Sequence, residues 1–191
     1  NGMGFFLETL IGGLMAGISR DLIMARLWPA FRLKTTSVWA ILDGARNDQI
    51  FPSVRDSGLD YACLYSGTLP RELRVVAPYL VELDPENPIT GRLLERAWGN
   101  SWGVFMQVGN AARLRHHLKG FLRVRGESGQ KMMFRYYDPR VLRVYLPTCN
   151  PVELRTIFGP IQSFLLEAPD PAEMIEFTFD GTRLDIRQRA L

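Results

Sequence analysis

Cysteine and histidine are scarce in this chain, which has two of each among 191 residues. Cys63 and Cys149 are too few for a disulfide framework, and we interpret both as buried small apolar residues. His116 and His117 are adjacent, so on a helix their side chains point about 100° apart and cannot grip one metal ion together. We therefore expect no metal site.

Gly-rich phosphate-binding loops are missing as well. Neither G-x-x-x-x-G-K-[ST] nor G-x-G-x-x-G occurs, so the patterns that hold nucleotides give no support to nucleotide hydrolysis. The nearest approach to a nucleophile elbow, Gly17-Ile18-Ser19-Arg20, is followed by Asp21 where Gly is needed. We expect no cofactor.

No apolar run reaches the length of about 20 residues that a membrane span requires. The most apolar stretch, residues 3–23, also lacks the basic start of a signal peptide, so we expect neither secretion nor a membrane span. Its large apolar residues recur at helical spacing and include Phe5, Phe6, Leu10 and Leu14, all candidate partner contacts. Either this helix packs on its own domain, or it docks in an apolar groove, in cis or on a neighbouring chain.

Lysine is rare too, with 3 Lys against 20 Arg, and the net charge is only +3. The charge is uneven, because nine cations between Arg113 and Arg143 face only Glu127 and Asp138. Such a stretch predicts a positive face that steers an acidic partner, with Arg113, Arg123 and Arg125 as candidate contacts. A nucleic-acid-binding module that uses Arg113–Arg143 is an alternative, although the modest net charge disfavours it.

Short apolar runs alternate with helical patterns over residues 34–191, which we take as one domain after an apolar segment at 1–33. We interpret Asn1 and Gly2 as a cloning remnant. Strands are predicted at 38–42, 61–65, 79–83 and 102–108, and helices near 47–56, 90–98 and 111–122. This alternation predicts an α/β fold with a mixed sheet and flanking helices.

The carboxyl-terminal half favours antiparallel hairpins. Gly126-Glu127-Ser128-Gly129 predicts a hairpin loop, and Asp180-Gly181 predicts a two-residue turn that sets Phe177 opposite Leu184. Residues 152–166 are predicted to be mostly helical, with an interruption at Gly159-Pro160.

Residues 134–140 form the densest cluster of polar and aromatic groups. Asp138 suits a helix cap and Pro139 the first helical residue. Arg135 and Arg140 are close enough in sequence for a bidentate bond to Asp138 that would lock this corner. On a strand, Phe134 and Tyr136 share one face while Arg135 and Tyr137 share the other, which makes Tyr137 a candidate partner contact. Stacking on single-stranded nucleic acid is the competing role.

Three acids are candidates for chemistry. Asp43 and Asp84 follow apolar runs, where active sites of α/β proteins collect, and Asp138 is the third. A small hydrolase or nuclease that acts through them is the alternative function. Turn and cap positions require the same residue types, so we favour structural roles for all three and expect no catalysis.

A series of segments resembles, in order, the type VI secretion adaptor family, the effector chaperones that also carry a domain-of-unknown-function label. The segments are Trp39-Ala40-Ile41-Leu42-Asp43-Gly44-Ala45, Leu64-Tyr65-Ser66-Gly67, Ala77-Pro78-Tyr79-Leu80-Val81-Glu82-Leu83, Trp102-Gly103-Val104-Phe105, His117-Leu118, Phe134-Arg135-Tyr136-Tyr137-Asp138-Pro139-Arg140-Val141-Leu142 and Phe158-Gly159-Pro160-Ile161.

The resemblance covers residues 38–164 and implies a cytoplasmic, non-enzymatic adaptor. It implies two partners, a toxic effector as cargo and a VgrG-type spike protein onto which the effector is loaded. Residues 3–23 have no counterpart in the family pattern. Members often continue past the position of Leu191, which leaves open that a variable carboxyl-terminal part is missing.

Overall fold

The elements alternate along the chain much as the sequence pattern predicts. The computed structural model describes residues 20–29, 36–125 and 128–191. Its strands are β1 (Ser37–Asp43), β2 (Tyr61–Cys63), β3 (Pro78–Leu83), β4 (Gly103–Val108), β5 (Arg123–Arg125), β6 (Lys131–Met133), β7 (Ile161–Glu167), β8 (Glu173–Phe179) and β9 (Leu184–Ala190). Its helices are α1 (20–27), α2 (Ile50–Arg55), α3 (Arg71–Val75), α4 (Pro88–Ala97), α5 (Leu114–Phe121), α6 (Pro139–Tyr145) and α7 (Pro151–Phe158), with 3-10 turns at Gly44–Arg46 and Leu146–Thr148.

Seven strands form one sheet in the order β2-β3-β1-β4-β7-β8-β9, and β5 pairs with β6 in a separate hairpin. The α/β class with flanking helices is confirmed, but the described pairings of the large sheet are all antiparallel instead of mixed. The helical crossovers do join strands of equal direction, β1 to β2 and β3 to β4. These strands are not neighbours, because β3 lies between β1 and β2, and β1 lies between β3 and β4.

The sheet is buried on two sides, so alternate residues of its central strands enter different cores. Helices α5, α6 and α7 cover one face, where Leu118, Leu142 and Phe158 pack. Helices α1, α2 and α4 cover the other face. In β1, Ile41 belongs to the first core and Leu42 to the second, as the two-residue period of a strand requires.

Helix α1 packs on its own domain. Ile23 and Leu27 are about 1% exposed in the second core, and the side-chain amide of Gln107 donates to the carbonyl of Leu27 at 2.9 Å. The rest of the predicted apolar helix, with Phe5, Phe6, Leu10 and Leu14, lies outside the described residues. None of the described helices is long and apolar enough to cross a membrane.

Residues 161–166 lie in the stretch predicted to be mostly helical, but together with Glu167 they form strand β7. Gly159, with φ +47, ends α7, and β7 lies between β4 and β8 with six of its seven residues buried. A strand covered on both faces has a nearly continuous apolar run, which periodicity cannot separate from a buried helix.

The predicted β5–β6 hairpin is confirmed, whereas the predicted register of the last hairpin is wrong. Phe177 faces Ile186 and Phe179 faces Leu184, so four residues connect the strands. The Asp180 carboxylate accepts from the backbone N–H groups of Thr182 at 2.8 Å and Arg183 at 2.7 Å. This side-chain turn stabilises the longer loop in place of the predicted two-residue turn.

Candidate functional site

Strands β1, β2 and β7 run in the same direction, so their carboxyl-terminal ends lie at the same end of the sheet. Asp43 ends β1 and Glu167 ends β7, while Tyr65 follows β2 by two residues. The start of β4 lies between β1 and β7, and the Asp43 N–H donates to the carbonyl of Trp102 at 2.7 Å. Polar side chains from distant parts of the sequence therefore come together at this end of the sheet.

Asp43 is buried there and has two kinds of donor. Its side chain is 1% exposed and accepts from the Ala45 N–H at 3.1 Å, which caps the following 3-10 turn. It also accepts from Nη2 of Arg135, whose side chain is 42% exposed. Arg135 was predicted to bond to Asp138. It instead pairs with Asp43, 92 residues away, and so ties the end of β1 to the segment before α6.

Asp138 caps α6 and binds Arg140 at the same time. Its carboxylate accepts from the Arg140 N–H at 3.0 Å, from Nε at 2.9 Å and from Nη2 at 2.6 Å, and Pro139 begins the helix. Burial pushes the pKa of Asp138 upward, but the hydrogen bonds from Arg140 outweigh it and hold this pKa below its ordinary value. Asp43, Arg135, Asp138 and Arg140 are called the polar corner below.

The two tyrosines beside the polar corner are both buried. The Tyr136 hydroxyl donates to the carbonyl of Leu118 at 2.8 Å. Tyr137, a candidate partner contact from the sequence, is only 2% exposed, so it offers no surface to a partner. The reason is local: residues 134–138 are irregular and turn-like instead of forming a strand, and both rings enter the core. Burial raises the pKa of Tyr137, and the nearby Tyr65 and Asp43 add to this rise.

Glu167 stabilises the loop before β4 at the same end of the sheet, a role that the sequence analysis missed. Its carboxylate accepts from the Gly99 N–H at 2.6 Å and from the Ser101 hydroxyl at 2.7 Å. Ser101 has φ +53, which is unusual for a residue other than glycine. The carboxylate therefore holds the α4–β4 loop in a conformation of low intrinsic preference.

An apolar groove opens next to the polar corner. Its volume is about 550 Å³, and its lining residues are Leu64, Tyr65, Ser66, Leu69, Leu73, Lys119, Leu122, Arg123 and Met133. This set is called the groove below. Leu73 and Met133 are each 48% exposed, although each is a large apolar side chain. Among the described lining residues there are two cations and no carboxylate.

Helix α3 forms one side of the groove and buries none of its five residues. Its position depends on the end of β1, because the Gly44 N–H donates to the carbonyl of Ala77 at 3.0 Å. A Cβ on Gly44 would lie 2.5 Å from the carbonyl oxygen of Val75 and 2.7 Å from that of Ala77. The Tyr79 hydroxyl, whose pKa burial raises to about 12, donates to the carbonyl of Arg74 at 2.6 Å.

Cations gather around the end of β2, whose next residues, Leu64 and Tyr65, line the groove. Nη2 of Arg115 donates to the carbonyl of Cys63 at 3.0 Å. Burial raises the pKa of the half-buried Cys63 thiol, while the positive charges of Arg115, Lys119 and Arg74 act in the opposite direction. Arg115 and Lys119 are four residues apart and lie on one face of α5, while Arg123 begins β5.

The remaining predicted site residues lie apart from the groove. Asp84 is exposed and accepts from the Glu86 N–H at 2.9 Å, which is a turn role. Arg113 lines a separate cavity of about 490 Å³ with both histidines, and His117 Nε2 lies 2.9 Å from the carbonyl of Ile157. Arg125 is exposed on β5. In the described part of the chain, no three His, Cys, Asp or Glu side chains come together as a metal site would require.

Comparison with known proteins defines the family. Residues 38–156 match the family model described as a domain of unknown function, DUF4123. The match spans more than half of the chain, which therefore belongs to the DUF4123 family. No curated protein and no solved structure matches the chain. The match confirms the domain-of-unknown-function label that the resemblance implies. The matched residues include the polar corner and the groove.

Proposed function

We propose that this protein is a type VI secretion adaptor that binds a toxic effector and helps to load it onto a VgrG-type spike. Membership of the DUF4123 family supports this role, because the chain resembles the effector chaperones of that system. The observation that carries the proposal is the groove beside α3, a helix that keeps apolar side chains at the surface. A soluble domain gains nothing from exposing such a patch unless a partner covers it.

The groove suits an apolar helix that carries acidic residues along one side. Leu69, Leu73 and Met133 offer apolar contact to such a helix. Lys119 on α5 and Arg123 at the start of β5 both line the groove, so both are available to acidic residues of a partner helix. Lys119 and Arg123 would therefore meet carboxylates while the apolar face of the partner is buried.

The carboxylates support binding without catalysis. Asp43 and Asp138 each accept from a backbone N–H and from an arginine, and Asp84 holds an exposed turn. A general base needs a carboxylate whose oxygens are free to reach a substrate proton. Two of the three acids of the alternative hydrolase or nuclease, Asp43 and Asp138, are therefore engaged in contacts that stabilise the fold, and this supports binding over catalysis.

The test is co-purification of the tagged protein from its native cells, followed by mass spectrometry of the bound proteins. We expect an effector and a spike protein in the eluate. Leu73→Asp places a charge in the groove and should lower the recovered effector at least about tenfold, the result of one lost central contact. Val152→Asp is the matched control, since Val152 is 68% exposed on α7, outside the groove.

The control variant should retain the effector at the wild-type level. Equal recovery with Leu73→Asp and with the wild-type protein would refute binding in the groove. An eluate that contains neither an effector nor a spike protein would refute the adaptor role itself.

A further inference from the structure

Strand β9 forms an edge of the large sheet that no other described strand covers. It is last in the strand order and pairs with β8 alone among the described residues. Residues 185–190 are all exposed. This edge lies at the opposite end of the sheet from β2, which borders the groove, so it is a separate surface.

The backbone of β9 is oriented for one more strand. The Leu191 N–H donates to the carbonyl of Ala172 at 2.8 Å, and the Arg183 carbonyl accepts from the Asp180 N–H at 3.3 Å. Odd-numbered residues of β9 therefore turn their backbone groups towards β8, since these alternate along a strand. The even-numbered residues, including Ile186 and Gln188, turn their N–H and C=O groups to the open edge.

An apolar row crosses the sheet and ends at this edge. Paired positions run from Met106 to Phe164, then to Phe177, and finally to Ile186. The first three side chains are at most 1% exposed, whereas Ile186 is 48% exposed. A further strand with an apolar residue opposite Ile186 would continue the row and cover it.

The other face of β9 is positively charged. Arg187 and Arg189 lie on it together with Asp185, which is bonded to Nε of Arg187 at 2.8 Å. Arg183 lies directly before the strand, and the alternation of faces along the chain places it on the same side as Arg187 and Arg189. Glu176 of β8 pairs with Arg187 on this face, so three cations stand against two acids. The remaining positive charge complements a strand with acidic residues at alternate positions.

A second copy of the chain complements this edge less well. Symmetric antiparallel pairing about Ile186 would set Arg183 opposite Arg189 of the other copy, and Asp185 opposite Arg187. Pairing about Arg187 would set Arg187 opposite itself, and Asp185 opposite Arg189. Asp185 is already bonded to Arg187 of its own strand, so it offsets these like-charged pairs only in part. Like charges directly opposite each other destabilise a strand pair, so the charges favour a different chain with acidic residues.

We propose that β9 binds an extended segment of a partner protein by strand addition, and that this segment alternates apolar and acidic residues. Backbone hydrogen bonds at the even-numbered residues supply the binding, while Ile186 and the arginines select the partner side chains. This second docking surface does not depend on the groove or on its occupant.

The test measures binding of a fluorescent peptide of alternating Val and Glu, about as long as β9, by fluorescence polarisation. Gln188→Pro removes one outward N–H without removing a hydrogen bond to β8, a position where an edge strand tolerates proline. We expect about a tenfold loss of peptide affinity, the size of one lost hydrogen bond plus a steric clash. Gln188→Ala is the matched control and should bind within about twofold of wild type.

Charge selection is tested with a second peptide in which Lys replaces Glu. The wild-type protein should prefer the Glu peptide, and Arg187→Glu combined with Arg189→Glu should reverse this preference. Equal binding of both peptides, or full affinity with Gln188→Pro, would overturn the proposal. Concentration-dependent dimers that Gln188→Pro abolishes, measured by sedimentation, would overturn it in favour of a second copy.

Discussion

The polar corner and the groove lie side by side and use the same residue types in opposite ways. In the polar corner, Asp43 and Asp138 are buried and each holds an arginine of its own chain. In the groove, Lys119 and Arg123 line an apolar surface whose described lining has no acid. Charges that are satisfied internally stabilise the fold, whereas cations beside exposed apolar side chains are available to another molecule.

Because of this difference, substitutions in the two regions should change different measured quantities. Changes in the polar corner should alter the free energy of unfolding, and changes in the groove should alter partner binding with little effect on stability. Gly44 connects the two, because it follows Asp43 directly and packs against the carboxyl end of α3.

Gly44→Ala is expected to have the largest effect, because it acts on both regions. The new Cβ would meet two backbone oxygens at 2.5 and 2.7 Å, so α3 must move. We expect a loss of about 3 kcal/mol in the free energy of unfolding, as for overpacked sites, measured by urea denaturation, together with weaker effector recovery. Gly120→Ala in α5 is the control, since a Cβ there meets nothing within 4 Å beyond its chain neighbours and its own helix backbone. Equal stability of the two variants would contradict the coupling.

Asp138→Ala should cost about 1 to 3 kcal/mol of stability, because it removes the cap of α6 and leaves Arg140 without its carboxylate. Thermal melting measures the loss. Asp84→Ala provides the comparison, since the exposed turn of Asp84 should tolerate the change far better. An unchanged melting temperature together with lost partner binding would show that Asp138 contacts a partner and does not stabilise the fold.

The low pKa of Asp138 predicts how stability depends on pH. A carboxyl group with a folded-state pKa below its unfolded value of about 3.9 stabilises the protein above that pH. This stabilisation is lost as the pH falls through the folded-state pKa. Asp138→Asn should therefore flatten the stability profile on the acid side of pH 4, and its difference from the wild type should shrink there. Parallel profiles from pH 7 down to acid unfolding would contradict the role of the Arg140 contact.

Local sequence signals predicted much of this architecture but fewer of the long-range contacts. The cap by Asp138 and the start of α6 at Pro139 follow from residues next to each other in sequence. The Arg135–Asp43 pair spans 92 residues, and only the strand order brings its members together. The groove was missed because Leu73 lies in a short Arg-rich helix, where composition does not tell whether an apolar side chain is buried.

The smallest expected effect concerns nucleic acid, which we expect the protein not to bind at physiological salt. Two of the nine cations in 113–143, Arg135 and Arg140, already hold buried carboxylates, and Arg115 donates to a backbone carbonyl. The groove also offers apolar contacts where a strand of phosphates needs charge. Fluorescence polarisation with a random oligonucleotide at two salt concentrations measures this. Sub-micromolar affinity that falls steeply with added salt would reveal phosphate contacts through counterion release, and the cations beside the groove would then serve nucleic acid instead of an acidic protein segment.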